Sequence, residues 1–191
     1  MGKGRLEAFS DGVIAIIITI MVLEMKVPHG AAMADLAPVL PVFLSYILSF
    51  IYVGIYWNNH HHLLHTVKQV SAGIMWGNLH LLFWLSLFPF VTGWMGENHF
   101  APVPTAVYGG VLFMAAIAWT ILQSAIVSAH GKESVLAHAV GSDLKGKISL
   151  VGYVIGILLA CADQWFAEAM YVIVALLWLV PDRRIEKTLK E

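Results

Sequence analysis

Residues 6–25, LEAFSDGVIAIIITIMVLEM, make an apolar run as long as a helix needs to cross a bilayer, about 20 residues. Comparable runs lie at about 40–60, 72–95 and 103–128, with shorter ones at 148–162 and 165–180. This narrows the fold sharply. In lipid every backbone N–H and C=O must be satisfied within the protein, so a spanning segment is a helix or part of a closed barrel. No apolar and polar alternation of the kind barrel strands carry is present. The expected fold is all-α: one unit over residues 1–191 with six transmembrane helices. The shortness of the last two runs leaves a re-entrant hairpin as the alternative for that pair.

Composition agrees. The chain is 59% hydrophobic and 12% charged, where a soluble domain carries roughly 25% charged residues, so an integral membrane protein is expected. With 11 basic against 12 acidic residues, no excess charge invites nucleic acid. A lone cysteine, Cys161, excludes an intramolecular disulfide and a Cys-rich metal site. Lys3 and Arg5 precede the first run as in a signal peptide, but the run continues through Leu23 without a small-residue cleavage site, so it reads as a retained span.

Basic residues set the orientation, because short loops rich in Lys and Arg stay cytoplasmic. Starting from a cytoplasmic N-terminus, the inner segments hold Lys3, Arg5, Lys68, Lys132, Lys145, Lys147, Arg183, Arg184, Lys187 and Lys190; Lys26 alone falls outside. Both termini are therefore expected in the cytoplasm. Gly73 and Gly77, and Gly152 and Gly156, have the small-xxx-small spacing that lets helices approach closely.

Three stretches carry polar groups into apolar surroundings: "FSDGVIAIIITIMVLE" from residue 9, "YWNNHHHLLH" over residues 56–65 and "WGNLHLLFWLSLFPF" over residues 76–90. In this order and spacing they resemble the TMEM175 family of potassium channels, prokaryotic branch. The resemblance rests on Arg5, Phe9, Ser10 and Asp11, on Trp57, His60 and His61, and on Asn78, and covers the first half of the chain closely. Leu64, where a phenylalanine is usual, and the additional His62 depart from the pattern. The resemblance implies a channel whose pore is lined by the first helix of four repeats. A chain with one six-helix repeat would then form a homotetramer. It also implies that Ile16 is the bottleneck and that Thr19 occupies a position implicated in selectivity.

Helical spacing makes the same stretch physically legible. Residues three, four and seven apart share a face, which puts Ile16, Thr19, Ile20 and Leu23 together. Around a fourfold axis they would give apolar rings with one ring of hydroxyls, and a narrow apolar ring gates by expelling water. An Ile-rich stripe facing lipid is the competing reading, and a threonine hydroxyl also bonds the preceding turn of its own helix without any functional role.

Arg5, Ser10, Asp11, Trp57, His60, His61 and Asn78, with Phe9 beside them, are expected to form a polar cluster that fixes the tilt and rotation of the lining helix. Asp11 facing the vestibule as part of an acidic ring is the alternative. His61 and His65 share a face, so zinc ligation with His60, His62, His80 or Asp11 is a further possibility, as is pH-sensitive gating; neither has a supporting spacing motif, and no metal or cofactor is expected.

Two features invite over-reading. Val151-Gly152-Tyr153 echoes a carbonyl filter but sits inside a continuous run. Asp163 and Glu168 flank the last turn, where solvation accounts for them. The expected function is a potassium-preferring cation channel with a hydrophobic bottleneck; its partners are membrane lipids, monovalent cations and its own copies. A proton- or ion-coupled transporter using Asp11 and the histidines is the alternative, weakened by the lack of an internal repeat. A membrane enzyme is not expected, since no nucleophile, base and orienting group fall together.

Overall fold

A computed structural model describes residues 2–131, 134, 136–137, 141 and 143–179. The expected end of the sixth run at Val180 and the basic residues Lys132, Arg183, Arg184, Lys187 and Lys190 lie outside the described residues. Among the described residues all regular structure is helical. The elements are α1 (Lys3–Leu23), a 3₁₀ turn (Met33–Val39), α2 (Leu40–His65), α3 (Ala72–Ser86), α4 (Phe88–Glu97), α5 (Pro102–His130), α6 (Leu144–Ala160) and α7 (Gln164–Leu179).

Local chemistry explains the boundaries. Pro41 and Pro102 open α2 and α5, where a missing N–H costs nothing. Ser71 caps α3, its side chain accepting from Ile74 N–H, and Asp143 caps α6 by accepting from Gly146 N–H at 3.2 Å. That cap starts α6 at Leu144 rather than near residue 148. α5 ends at Gly131, whose φ of 88° suits glycine far better than a residue with a side chain.

Two expectations are corrected. The run 72–95 is not one helix: it breaks at Leu87 into α3 and α4, because Pro89 lacks the N–H and its ring crowds the carbonyl one turn back. α3 and α4 together still form a rod from Ala72 to Glu97. Likewise His60 and His61 do not end the second run; α2 continues to His65, nothing in YWNNHHHLLH being a helix breaker.

α5, at 29 residues about 44 Å long, is central and packs against α3, α4, α6 and α7. α6 and α7, of 17 and 16 residues, are about 26 and 24 Å long and pair as a tight antiparallel hairpin. Gly156 makes that pairing possible: a Cβ there would stand 3.0 Å from Tyr171 Cδ1. Gly77 seats Leu122 of α5, and Gly152 seats Val174 of α7. Gly73, by contrast, meets only Ser71 Oγ, at 3.8 Å, so the first glycine of that pair serves no helix contact.

α1 leans on α2, α3 and α4 from one side. Leu6, Ser10, Ile14, Ile17 and Met21 are buried there, with Val13 and Ile18 partly buried beside them, and the opposite face of α1 is exposed.

Candidate functional site

α1 has two faces that differ completely. Ile14 and Ile17 are 1% and 3% exposed, whereas Ile16, Ile20 and Leu23 are 57%, 41% and 78% exposed. Thr19 is exposed with them. Its hydroxyl turns back on its own helix, donating to Ile16 O at 2.9 Å or Ala15 O at 3.1 Å. A hydroxyl whose proton is committed to the backbone presents only oxygen lone pairs outward, which suits a cation and repels an anion.

On the packed side a directional chain of hydrogen bonds joins three helices. Ser10 O–H donates to Leu6 O at 2.8 Å. Ser10 Oγ accepts from Asn78 Nδ2 at 2.9 Å, and Asn78 Oδ1 lies 2.7 Å from His60 Nε2. Since the amide nitrogen is the donor to Ser10, its oxygen is the acceptor, and His60 Nε2 carries the proton. All three side chains are 0–1% exposed. In so dry a place each unmade bond costs about 1–3 kcal/mol, so the chain pins α1, α2 and α3 in one rotational setting.

Trp57 and Asp11 form a second, separate contact, Trp57 Nε1 donating to Asp11 Oδ1 at 3.1 Å. It sits at the surface, with Trp57 48% exposed. The expected single cluster is thus divided. Ser10, His60 and Asn78 are buried together, and Asp11 and Trp57 pair beside them. Arg5 is exposed and makes no hydrogen bond or ion pair with a described residue. Phe9 is exposed on the same face as Ile16. His61 is exposed too, its ring stacked on His65 at 6.3 Å and edge-on to His62. The reason is rotational: one residue is about 100° of helix, so His60 and His61 cannot both face Asn78.

Sequence reasoning passed over Lys3, whose ammonium donates to His65 O at 2.8 Å and fastens the start of α1 to the end of α2. It also misread Glu168. Rather than standing in a solvated turn, Glu168 lies on the buried stripe of α7 with Ala167, Tyr171 and Val174, and its Oε1 has no hydrogen-bond partner. The i, i+3 spacing to Tyr171 was the available signal. Asp163 does lie at the turn, accepting from Trp165 N–H at 2.8 Å.

Nothing in the geometry favours metal ligation by the histidines. His80 Nε2 accepts from Trp84 Nε1 at 3.0 Å, and among the described residues no three His, Cys, Asp or Glu side chains converge.

Similar proteins are named as cation channels. The family described as "Endosomal/lysosomal potassium channel TMEM175" matches residues 5–89, the part that contains every residue of the polar chain and the exposed stripe. A potassium channel of Chryseobacterium sp. (strain P1-3) is 60% identical over 191 residues, all of both chains. The human endosomal/lysosomal proton channel TMEM175 is 38% identical over 96 residues, 44% of this chain and 19% of its own. The crystal structure of a lysosomal potassium-selective channel TMEM175 homologue from Chamaesiphon minutus superposes with a TM-score of 0.82 at 27% identity, covering 94% of this chain and 97% of that one. These relatives are ion channels, not enzymes. With four apolar rods of spanning length and a relative matched from end to end, the chain is a membrane protein that belongs to the TMEM175 family.

Proposed function

We propose that the chain is a cation channel that prefers potassium, assembled as a homotetramer in a prokaryotic plasma membrane with both termini in the cytoplasm. The observation that carries this reading is the exposed face of α1. Ile16, Thr19, Ile20 and Leu23 are exposed among the described residues, while the opposite face is locked by Ser10, Asn78 and His60. Four such faces around an axis make a conduit closed at Ile16 by dewetting. Thr19 oxygens, their protons held by the backbone, offer cations the side-chain ligands within it. The buried chain then acts as a brace, joined at the surface by Trp57 and Asp11. No cofactor is needed.

Potassium is favoured over protons because the relative matched along its whole length is named a potassium channel, whereas the proton-channel name belongs to relatives matched over less than half of this chain. Liposomes loaded with potassium and carrying both a potassium reporter and a pH dye test the reading. Flux down the gradient without proton exchange is expected, rising about tenfold in Ile16→Ala and falling in Ile16→Phe, since an apolar constriction gates through its width. Stoichiometric proton countertransport, or indifference to the size of residue 16, would overturn it.

A further inference from the structure

At the C-terminal end of α1 the side chain of Glu24 lies flat across Gly93 of α4. A Cβ added at Gly93 would stand 3.2 Å from Glu24 Oε2 and 3.4 Å from its Cγ, so the absent side chain gives the carboxylate its seat. The Lys26 ammonium feels the Glu24 charge but is committed by its hydrogen bond to another acid. Lys26, two residues on, donates to Glu97 Oε1 at 2.6 Å, and the Glu97 hydrogen bond and charge hold that ammonium above the ordinary lysine range. The Glu24 carboxylate itself makes no hydrogen bond or close ion pair with a described residue. Asp35 faces the same cleft of about 710 Å³ and accepts from Ala32 N–H at 2.9 Å. Glu24, Asp35 and Glu97 against Lys26 leave an excess of two negative charges there.

Glu24 directly follows Leu23, the last residue of the exposed stripe. We propose that Glu24 is a conductance-setting residue, its carboxylate concentrating permeant cations at the mouth of the pore that the four α1 helices line. The inference rests on the channel reading above. A carboxylate held against a low-dielectric wall raises the local cation concentration, and four copies would ring the entrance. Lys26 hydrogen-bonds Glu97 and feels the Glu24 charge as well, but one ammonium against three carboxylates leaves the ring net negative.

Single-channel recordings in planar bilayers test this at about 10 mM and about 1 M potassium chloride, between which the Debye length falls from about 30 Å to about 3 Å. Glu24→Gln is expected to lower conductance about threefold in dilute salt and to match wild type in concentrated salt, as a focusing charge should. Lys26→Met, which frees Glu97, should raise the dilute-salt conductance. Asp163→Asn, an acid at the turn between α6 and α7, should leave it unchanged. Equal dilute-salt conductance in Glu24→Gln and wild type, or an equal fall in Asp163→Asn, overturns the inference. Ile16→Ala in the same bilayers separates the failures: if it alters conduction while Glu24→Gln does not, Glu24 alone is misassigned; if it too is silent, the pore assignment fails and this inference with it.

Discussion

Asn78 is the junction of the buried chain, donating to Ser10 and accepting from His60. Asn78→Ala strands the His60 N–H where no water reaches it, so a loss of about 2–4 kcal/mol is expected from two broken buried bonds. Ser10→Ala should cost about 1–3 kcal/mol: the Leu6 carbonyl it releases keeps its helical bond, but one Asn78 N–H loses its buried acceptor. The double variant should be little worse than Asn78→Ala alone, since groups acting in one network are not additive. Thermal unfolding of the detergent-solubilised protein measures all three; strict additivity would mean the contacts are independent and brace nothing. Ser10, His60 and Asn78 were legible as polar intrusions into apolar runs, and the resemblance grouped them correctly in sequence. What the string of letters hid was rotation. Arg5 and His61 sit at similar depth but point elsewhere, and depth is all that hydropathy records. Glu168 was missed for the same reason: its neighbour Ala167 and its i+3 partner Tyr171 carry it into the interior.

Helices α1 and α5 were readable almost to their ends, since length and apolar composition are what a bilayer demands, while α2 runs past its expected end to His65. The break at Leu87 was not readable, because Pro89 interrupts the helix inside a run whose hydropathy is continuous. Close packing was half legible: the spacing of Gly152 and Gly156 identified a real α6–α7 contact, while the same spacing at Gly73 and Gly77 found one useful glycine. Atoms, not spacing, decide. Gly156→Ala would drive a methyl into the Tyr171 ring, whose O–H is itself tied to Thr105 O, and overpacking of that kind costs about 1–3 kcal/mol. Gly152→Ala meets the end of a valine and should cost less. Gly110→Ala meets nothing within 4 Å and should gain about 0.5–1 kcal/mol from helix propensity. Chemical unfolding of the three variants ranks them; a Gly110→Ala protein less stable than Gly156→Ala would contradict the described α6–α7 contact.

The cavity enclosed by α2, α5, α6 and α7, lined by Tyr52, Tyr56, Trp119 and Tyr153, has about 30 Å³, room for a water or two. On the channel reading proposed above, conduction needs assembly, and the surface left free on α1 is where copies would meet. That same surface could face lipid in a monomer, and the two arrangements differ in what reaches residue 16. In a Cys161→Ser background, Ile16→Cys places one thiol per chain on the exposed stripe. If four stripes surround water, a membrane-impermeant thiol reagent should block current completely when the channel is open, and native mass spectrometry should give four copies of the 21.0 kDa chain. If the stripe faces hydrocarbon, the water-soluble reagent should fail while a lipid-soluble one labels the thiol, because charged reagents do not enter the bilayer core. Labelling from lipid, or a conducting species of one copy, would remove α1 from the ion path.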